Sequence, residues 1–193
     1  MSAGLIPFLC PLLPYYDHAA EHWGPHGVRL MVLGTAAVLI GLSYWHSKKF
    51  ARPGERTVSV AMGCYAICVI ALLVAFPHHL ELGMTVLAVL SIGDGAAGLV
   101  GMTLKGPKLP WNVQKTFSGT LGFVVFGAPV ASGAYWINSY PGVTWMTALT
   151  VGTITCVVAA LAESWPSRIN DNLRVGVAAA SVVVLHQWLL TGL

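Results

Sequence analysis

The chain has 193 residues, 56% of them hydrophobic and only 9% charged, whereas a soluble domain carries about 25% charged residues. With a mean hydropathy of +0.73, it is neither a disordered chain nor an ordinary water-soluble globule. Its net charge of +3 offers no basic field for a nucleic-acid partner.

A membrane-spanning helix needs about 20 mostly apolar residues. The first apolar stretch, Gly4–Tyr16, is shorter and is interrupted by Pro7, Pro11 and Pro14. No Lys or Arg precedes it, so it makes a poor signal peptide. Val28–Trp45 and Val58–Phe76 are long enough to span; Leu82–Met102 is too, but it contains Asp94. Gly119–Ile137, Thr144–Ala162 and Val175–Leu193 come next. These runs are continuous, unlike the alternating short segments of an outer-membrane barrel. The expected fold is all-α: a polytopic bundle of six transmembrane helices plus the Pro-interrupted N-terminal segment, forming one transmembrane domain over residues 1–193.

Basic residues set the orientation. Lys48, Lys49, Arg52 and Arg56 fall in one connection, Lys105, Lys108 and Lys115 in a second, and Arg168 and Arg174 in a third. These connections alternate onto one side; only Arg29 falls opposite. That side is expected to be cytoplasmic, in a bacterial inner membrane. Trp23, Tyr44, Trp45, Tyr135, Trp136, Tyr140, Trp145 and Trp165 lie near segment ends and read as an interfacial belt. Cys10, Cys64, Cys68 and Cys156 lie in apolar stretches and read as small buried hydrophobes.

Chemistry concentrates in three places. Asp94 sits in Ser91-Ile-Gly-Asp-Gly-Ala-Ala-Gly98. A carboxylate at a helix centre costs about 2.5–3.5 kcal/mol on insertion scales, so it needs a partner, an ion or a water-filled cavity. Gly93, Gly95, Ala97, Gly98 and Gly101 remove bulk around it, which suits either close helix packing or a ligand. The loop from Thr103 to Gly119 then brings Lys105, Lys108 and Lys115 to the start of the next helix. Free N–H groups and a positive dipole end favour phosphate there. Lys115 would add a full charge, and Ser118 is the expected cap; a plain positive-inside loop is the alternative. The motif is not a Walker A loop, because Gln114 precedes Lys115. Third, Pro166 ends a helix between Glu163 and Asp171-Asn172. These three side chains form a hard-oxygen set suited to Mg²⁺, or else simple helix caps. Acidic residues on two helix ends and a lysine at a third share one membrane face, a constellation that suits a Mg–nucleotide and a lipid headgroup.

His18, His22 and His26 have helical spacing for a metal face, but Gly24 and Pro25 interrupt it. His78-His79 reads as a polar loop and His186 as a tolerated helix residue.

From Arg52 to Leu173 the chain resembles the diacylglycerol/polyprenol kinase family. The motifs are Arg52-Pro-Gly-Glu-Arg56, Ile92-Gly-Asp-Gly-Ala-Ala-Gly98 with Gly101, Lys108-Leu-Pro-Trp-Asn112, Lys115-Thr-Phe-Ser-Gly-Thr120, and Glu163 to Asp171-Asn172. The resemblance implies transfer of phosphate, often from CTP, to a membrane lipid alcohol with Mg²⁺. It implies Asp94, Lys115, Glu163 and Asp171 as catalytic residues, with Asp94, Glu163 and Asp171 on the metal. Gly93, Gly95, Gly98, Lys108, Asn112, Lys115, Thr116, Ser118, Gly119 and Asn172 would bind nucleotide and phosphate.

Members of the family commonly carry an Arg-Lys-x-x-His-type motif before the first apolar segment; Met1-Ser-Ala-Gly-Leu-Ile-Pro-Phe resembles the region just after it, so a truncated start is expected. A related class, the phosphatidate cytidylyltransferases, is the runner-up, although its long Lys-Asp…Asp-Arg signature is absent. A small ion-coupled transporter using Asp94 is a third reading, against which stands the lack of an internal repeat. Gly- and Ala-rich helix faces would permit a homodimer.

Overall fold

The computed structural model describes residues 58–76, 78–139 and 142–191. Gly4–Tyr16, Val28–Trp45, Arg52-Pro-Gly-Glu-Arg56 and the His18/His22/His26 group lie outside the described residues. Among the described residues, four helices are long and apolar enough to cross a membrane, so a helical membrane protein stands and the expected six spans are not all seen.

The first described helix, α1 (Val58–Ala75), carries a shorter apolar stretch, Ala66–Ala75. The next span, Leu80–Leu104, comprises α2 (Leu80–Ala88), a π-helical turn (Val89–Gly93) and α3 (Asp94–Leu104). Its 25 residues extend about 38 Å at 1.5 Å per residue, more than a ~30 Å hydrocarbon core. It is the central helix: 67% of its apolar window lies inside the protein, against 28% for the last span. Asp94 N–H donates to the Val89 carbonyl, five residues back, and Ser91 Oγ donates to the Leu87 carbonyl at 2.7 Å. Such a widened turn re-aims the residues after it, and here it falls directly before Asp94.

The span ends where Lys105 turns left-handed at φ 45°, just before Gly106-Pro107. The segment expected to be a loop then folds as a β-hairpin of β1 (Lys108–Leu109) and β2 (Asn112–Thr116), with Lys108 opposite Thr116 and Leu109 opposite Asn112. This departs from the all-α expectation. Leu109 is 2% exposed and Asn112 is bonded to the Ser164 carbonyl of the last-but-one helix, which is how a short polar segment holds a fixed shape.

Three helices complete the chain: α4 (Phe117–Ser139), α5 (Trp145–Ser164) and α6 (Asp171–Thr191). Thr144 caps α5 by accepting from Thr147 N–H at 3.2 Å. The helix stops at Trp165, whose ψ of 134° is the extended geometry that Pro166 imposes on its predecessor. Small residues let α4 lie against the central span. A Cβ on Gly119 would meet the Ala97 carbonyl at 2.9 Å, and one on Gly93 would meet the Phe123 ring at 2.6 Å. This close packing, rather than any apolar driving force, sets helix association in lipid, and it fixes Asp94 relative to the start of α4.

Candidate active site

The hairpin, the end of α5 and the start of α6 meet at one end of the bundle. Lys115 on β2 reaches out between the two helix ends. Its Nζ lies 2.6 Å from Glu163 Oε1 and 3.1 Å from Asp171 Oδ2. Glu163 is 5% exposed, whereas the Asp171 side chain is 45% exposed, so the cluster runs from the protein interior to its rim. Burial alone would lower the Lys115 pKa. The facing Glu163 and Asp171 carboxylates outweigh that and hold it above the usual lysine value.

Asp94 is partly buried and lies within the central span, at the start of α3 and so well before the span's hairpin end at Leu104, within electrostatic reach of Lys115, Asp171 and Glu163. Its carboxylate makes no hydrogen bond or ion pair among the described residues. Counted formally, three carboxylates against Lys115 and Arg174 leave the cluster one negative charge.

From sequence, Arg174 reads only as one of the positive-inside residues. Its Nη2 donates to Asp171 Oδ1 at 2.8 Å and to the Glu163 carbonyl at 3.1 Å. It therefore ties the end of α5 to the start of α6 across the Pro166 turn. Asp171 divides its two oxygens between Arg174 and Lys115. Arg174 Nε and Nη1 are buried without a partner among the described residues. The signal for Arg174 in the sequence is its place one turn after Asp171 on the same helix face.

The remaining expected residues divide by what they touch. Asn112 Nδ2 donates to the Ser164 carbonyl at 3.1 Å, while Asn112 Oδ1 accepts from Gln114 N–H at 3.1 Å. The hairpin is thereby stitched to α5 beside Glu163. Thr116, not Ser118, caps α4: its Oγ1 accepts from Gly119 N–H at 3.1 Å, and Phe117 N–H goes to the Pro107 carbonyl at 3.0 Å. Those N–H groups are therefore taken by the protein. Ser118 Oγ instead accepts from Gly106 N–H at 3.3 Å, an arrangement favoured because the hairpin base passes so close. Gly93 and Gly119 are filled by neighbouring packing. Gly95 is half-buried, and Gly98 and Lys108 are exposed. Asn172 stands in the first turn of α6, its N–H bonded to Asn170 Oδ1 at 3.0 Å.

A second polar group sits at the other end of the bundle. His79 Nδ1 lies 2.9 Å from Glu81 Oε1 and 3.2 Å from Gln187 Nε2, and Tyr135 OH donates to Gln187 Oε1 at 3.2 Å. His79 and Gln187 thus belong to a buried network across α2, α4 and α6 rather than to a bare polar loop. Tyr135 OH also lies 3.5 Å from His186 Nδ1.

These features define a class: a helical membrane protein with a charged cluster where three segments converge. Comparison with known proteins narrows it. The chain is 29% identical over 123 residues to a probable phytol kinase 1, chloroplastic, of Glycine max, a match covering 61% of this chain and 41% of that one. It is 29% identical over 119 residues to phytol kinase 1, chloroplastic, of Arabidopsis thaliana, covering 59% and 39%. It is 28% identical over 153 residues to farnesol kinase, chloroplastic, of the same plant, covering 74% and 50%. The resemblance to the lipid-alcohol kinases of the polyprenol kinase family is supported by these relatives. The chain matches half or less of their lengths. No family model and no solved structure matches it. Because these relatives are named as chloroplastic, the expectation of a bacterial inner membrane gains no support.

Proposed function

We propose that the chain carries the catalytic region of a membrane-embedded kinase that phosphorylates a single-chain isoprenoid alcohol of the phytol or farnesol type. The donor is a nucleoside triphosphate, CTP on the resemblance of its motifs. One observation carries the reading: a lysine ammonium held between a buried carboxylate and one at the rim, with a third carboxylate in the central span that makes no hydrogen bond or ion pair among the described residues. Phosphoryl transfer requires positioning and charge neutralisation more than covalent chemistry, and this cluster offers both.

In this reading the alcohol oxygen bonds to the terminal phosphorus, the bond from that phosphorus to the bridging oxygen breaks, and the nucleoside diphosphate leaves. The hydroxyl proton passes to a carboxylate, a role we assign to Asp94. Asp94 makes no hydrogen bond or ion pair among the described residues and shares a helix with the apolar Leu99 and Met102, 56% and 70% exposed. Lys115, charged at any physiological pH, faces the phosphates and offsets their charge.

The side chains fit Mg²⁺ chemically. No three of the described His, Cys, Asp or Glu residues form a ready cage. Mg²⁺, however, is commonly held by one or two carboxylates with phosphate and water completing its shell. Asp94 is free to serve as one ligand, with Glu163 and Asp171 as the others available. Bound there, the ion would neutralise phosphate charge.

The test supplies the full chain in nanodiscs with Mg²⁺, phytol or farnesol, and CTP labelled at the α or the γ phosphate. Movement of γ label into lipid is the expected result. Movement of α label with release of pyrophosphate would instead reveal a cytidylyltransferase. No transfer of either label across a panel of nucleotides and lipid acceptors, phosphatidate included, would overturn both.

A further inference from the structure

Beside the charged cluster lies a cavity of about 370 Å³, bounded by the hairpin turn on one side and by Trp165, Pro166 and Ser167 on the other, with Lys115 and Asp171 among its lining residues. That volume is in the range of small-molecule sites, roughly 300–1,000 Å³. Its walls carry two indoles, Trp111 and Trp165, 47% and 65% exposed.

Trp165 reads from sequence as an interfacial anchor. An anchoring indole keeps its ring in the headgroup layer and its N–H toward water. Trp111 does otherwise. Its Nε1–H points back to Ser164 Oγ at 3.4 Å, and its ring stands edge-on to Phe117 at 6.2 Å and 75°. The polar edge is thus used within the protein, the ring plane is fixed, and nearly half the residue stays exposed beside the cavity. Asn112, clamped to Ser164 and to Gln114 N–H, keeps the turn from shifting. Gln114 is exposed, and its side-chain amide has no partner among the described residues, so it presents a donor and an acceptor together at the wall.

A fixed aromatic face, a free amide and a cation in one pocket fit a planar heterocycle attached to phosphates. We propose that this cavity seats the nucleoside part of the phosphate donor, with its base stacked on Trp111, Trp165 closing the other side, and its phosphates directed to Lys115. The proposal rests on the kinase reading and adds to it a place for the base. Stacking tolerates any base, and one amide can meet several base edges. Discrimination between CTP and ATP at this wall is therefore modest.

The experiment measures equilibrium binding of radiolabelled CTP and of ATP to the full chain in nanodiscs, and separately the KM for CTP and for phytol. Trp111→Ala should raise the nucleotide Kd and KM roughly ten- to hundred-fold, from the usual strength of base–aromatic stacking, while leaving the phytol KM unchanged. Trp111→Phe should restore most of the binding. Trp165→Ala should weaken binding several-fold, and it carries the test if Trp111→Ala does not fold. Unchanged nucleotide affinity in Trp165→Ala and in a folded Trp111→Ala overturns the proposal, as does a rise confined to the phytol KM, which would make the indoles lipid contacts. A wild-type chain that binds CTP through Trp111 yet phosphorylates no alcohol would refute the kinase reading and leave the subsite standing. Active enzyme with indifferent tryptophan variants would do the reverse, and a wild type that binds neither nucleotide refutes both.

Discussion

Replacing Lys115 with Met removes the ammonium and keeps most of the stem. Glu163, with its side chain 7% exposed, then faces Asp171 with no lysine between them. Losing one partner of a fully buried pair costs about 3–5 kcal/mol, whereas an exposed pair contributes at most about 1 kcal/mol. The Lys115 side chain is 28% exposed and that of Asp171 45%. The Glu163 contact therefore counts nearly in full, and solvent screens most of the Asp171 contact. The expected loss is about 2–3 kcal/mol. Removing the stranded carboxylate as well, in Lys115→Met/Glu163→Leu, should recover about 1–2 kcal/mol, because an apolar pair can replace a buried ion pair with little net cost. Unfolding free energies in mixed micelles, read beside γ-phosphate transfer, complete the cycle. Stability should return in the double variant, while turnover stays lost in both. Purely additive losses of stability would refute the coupled buried pair. Wild-type turnover in Lys115→Met would refute its place at the phosphates.

Asp94→Asn should lower turnover by about 10²–10⁴-fold, the usual contribution of a general base, without loss of stability, since it removes a charge that is costly in a membrane helix; a variant with wild-type rates sinks the assignment. Arg174→Lys keeps a charge near Asp171 but not the planar fork that also reaches the Glu163 carbonyl. Its kcat should fall about tenfold with an unchanged phytol KM, and an equal loss in Asp171→Ala and in the combined Arg174→Lys/Asp171→Ala would show that Arg174 acts through Asp171. Tyr135→Phe, at the far end of the bundle, should cost about 1 kcal/mol through its lost hydrogen bond to Gln187 and leave kcat untouched, which denaturation and rate measurements check together. The pKa of Lys115 is raised above 10.5, so its stabilising contribution is fully present below 10.5 and fades only as pH climbs through the still higher folded value. Lys115→Arg, permanently charged, should accordingly share the shape of the wild-type pH–rate profile between pH 6 and 9; a shifted alkaline limb would show lysine titrating there.

The parts of the fold that were legible are those fixed by composition over long windows. Leu82–Met102, Gly119–Ile137, Thr144–Ala162 and, as far as the described residues reach, Val175–Leu193 fall on helices whose ends lie within a few residues of theirs, because a bilayer rewards uninterrupted apolar length and little else. The hairpin was not legible. Its pairing spans Lys108 to Thr116 with Pro110 inside, too short and polar for any periodicity. Its shape depends on tertiary contacts: Leu109 is buried, and Asn112 is bonded to the Ser164 carbonyl on α5. Reading Ser118 as the cap failed for a similar reason: Thr116 and Ser118 are equally good caps chemically, and the hairpin decides by delivering Gly106 to Ser118. At the site, the residues that stood out were those whose charge is expensive in an apolar chain. Arg174 was hidden among residues that positive-inside bias explains equally well, and Trp111 stood out only as one letter of the Lys108-Leu-Pro-Trp-Asn112 motif, with no role of its own.

Depth explains why a kinase for a lipid alcohol would arrange its charges in this way. Asp171 stands at the rim, Glu163 is buried behind it, and Asp94 lies within the central span, past the π turn that ends at Gly93. An aqueous donor can reach only the rim. An isoprenoid alcohol keeps its chain in the bilayer and extends only its hydroxyl toward the protein. The two substrates can therefore meet only where a charged path runs inward from the water-facing end. A single surface carboxylate would serve the nucleotide and miss the alcohol, while a carboxylate buried alone would bear its insertion cost without a cation nearby. Lys115 joins the two regimes: its backbone belongs to the polar hairpin, and its ammonium reaches a glutamate that is 5% exposed. The hairpin is thus the element that makes the geometry possible. A helix continuing from α3 would have carried Lys115 away from α5, whereas two short strands return the chain at once and place the lysine over the point where α5 ends and α6 begins.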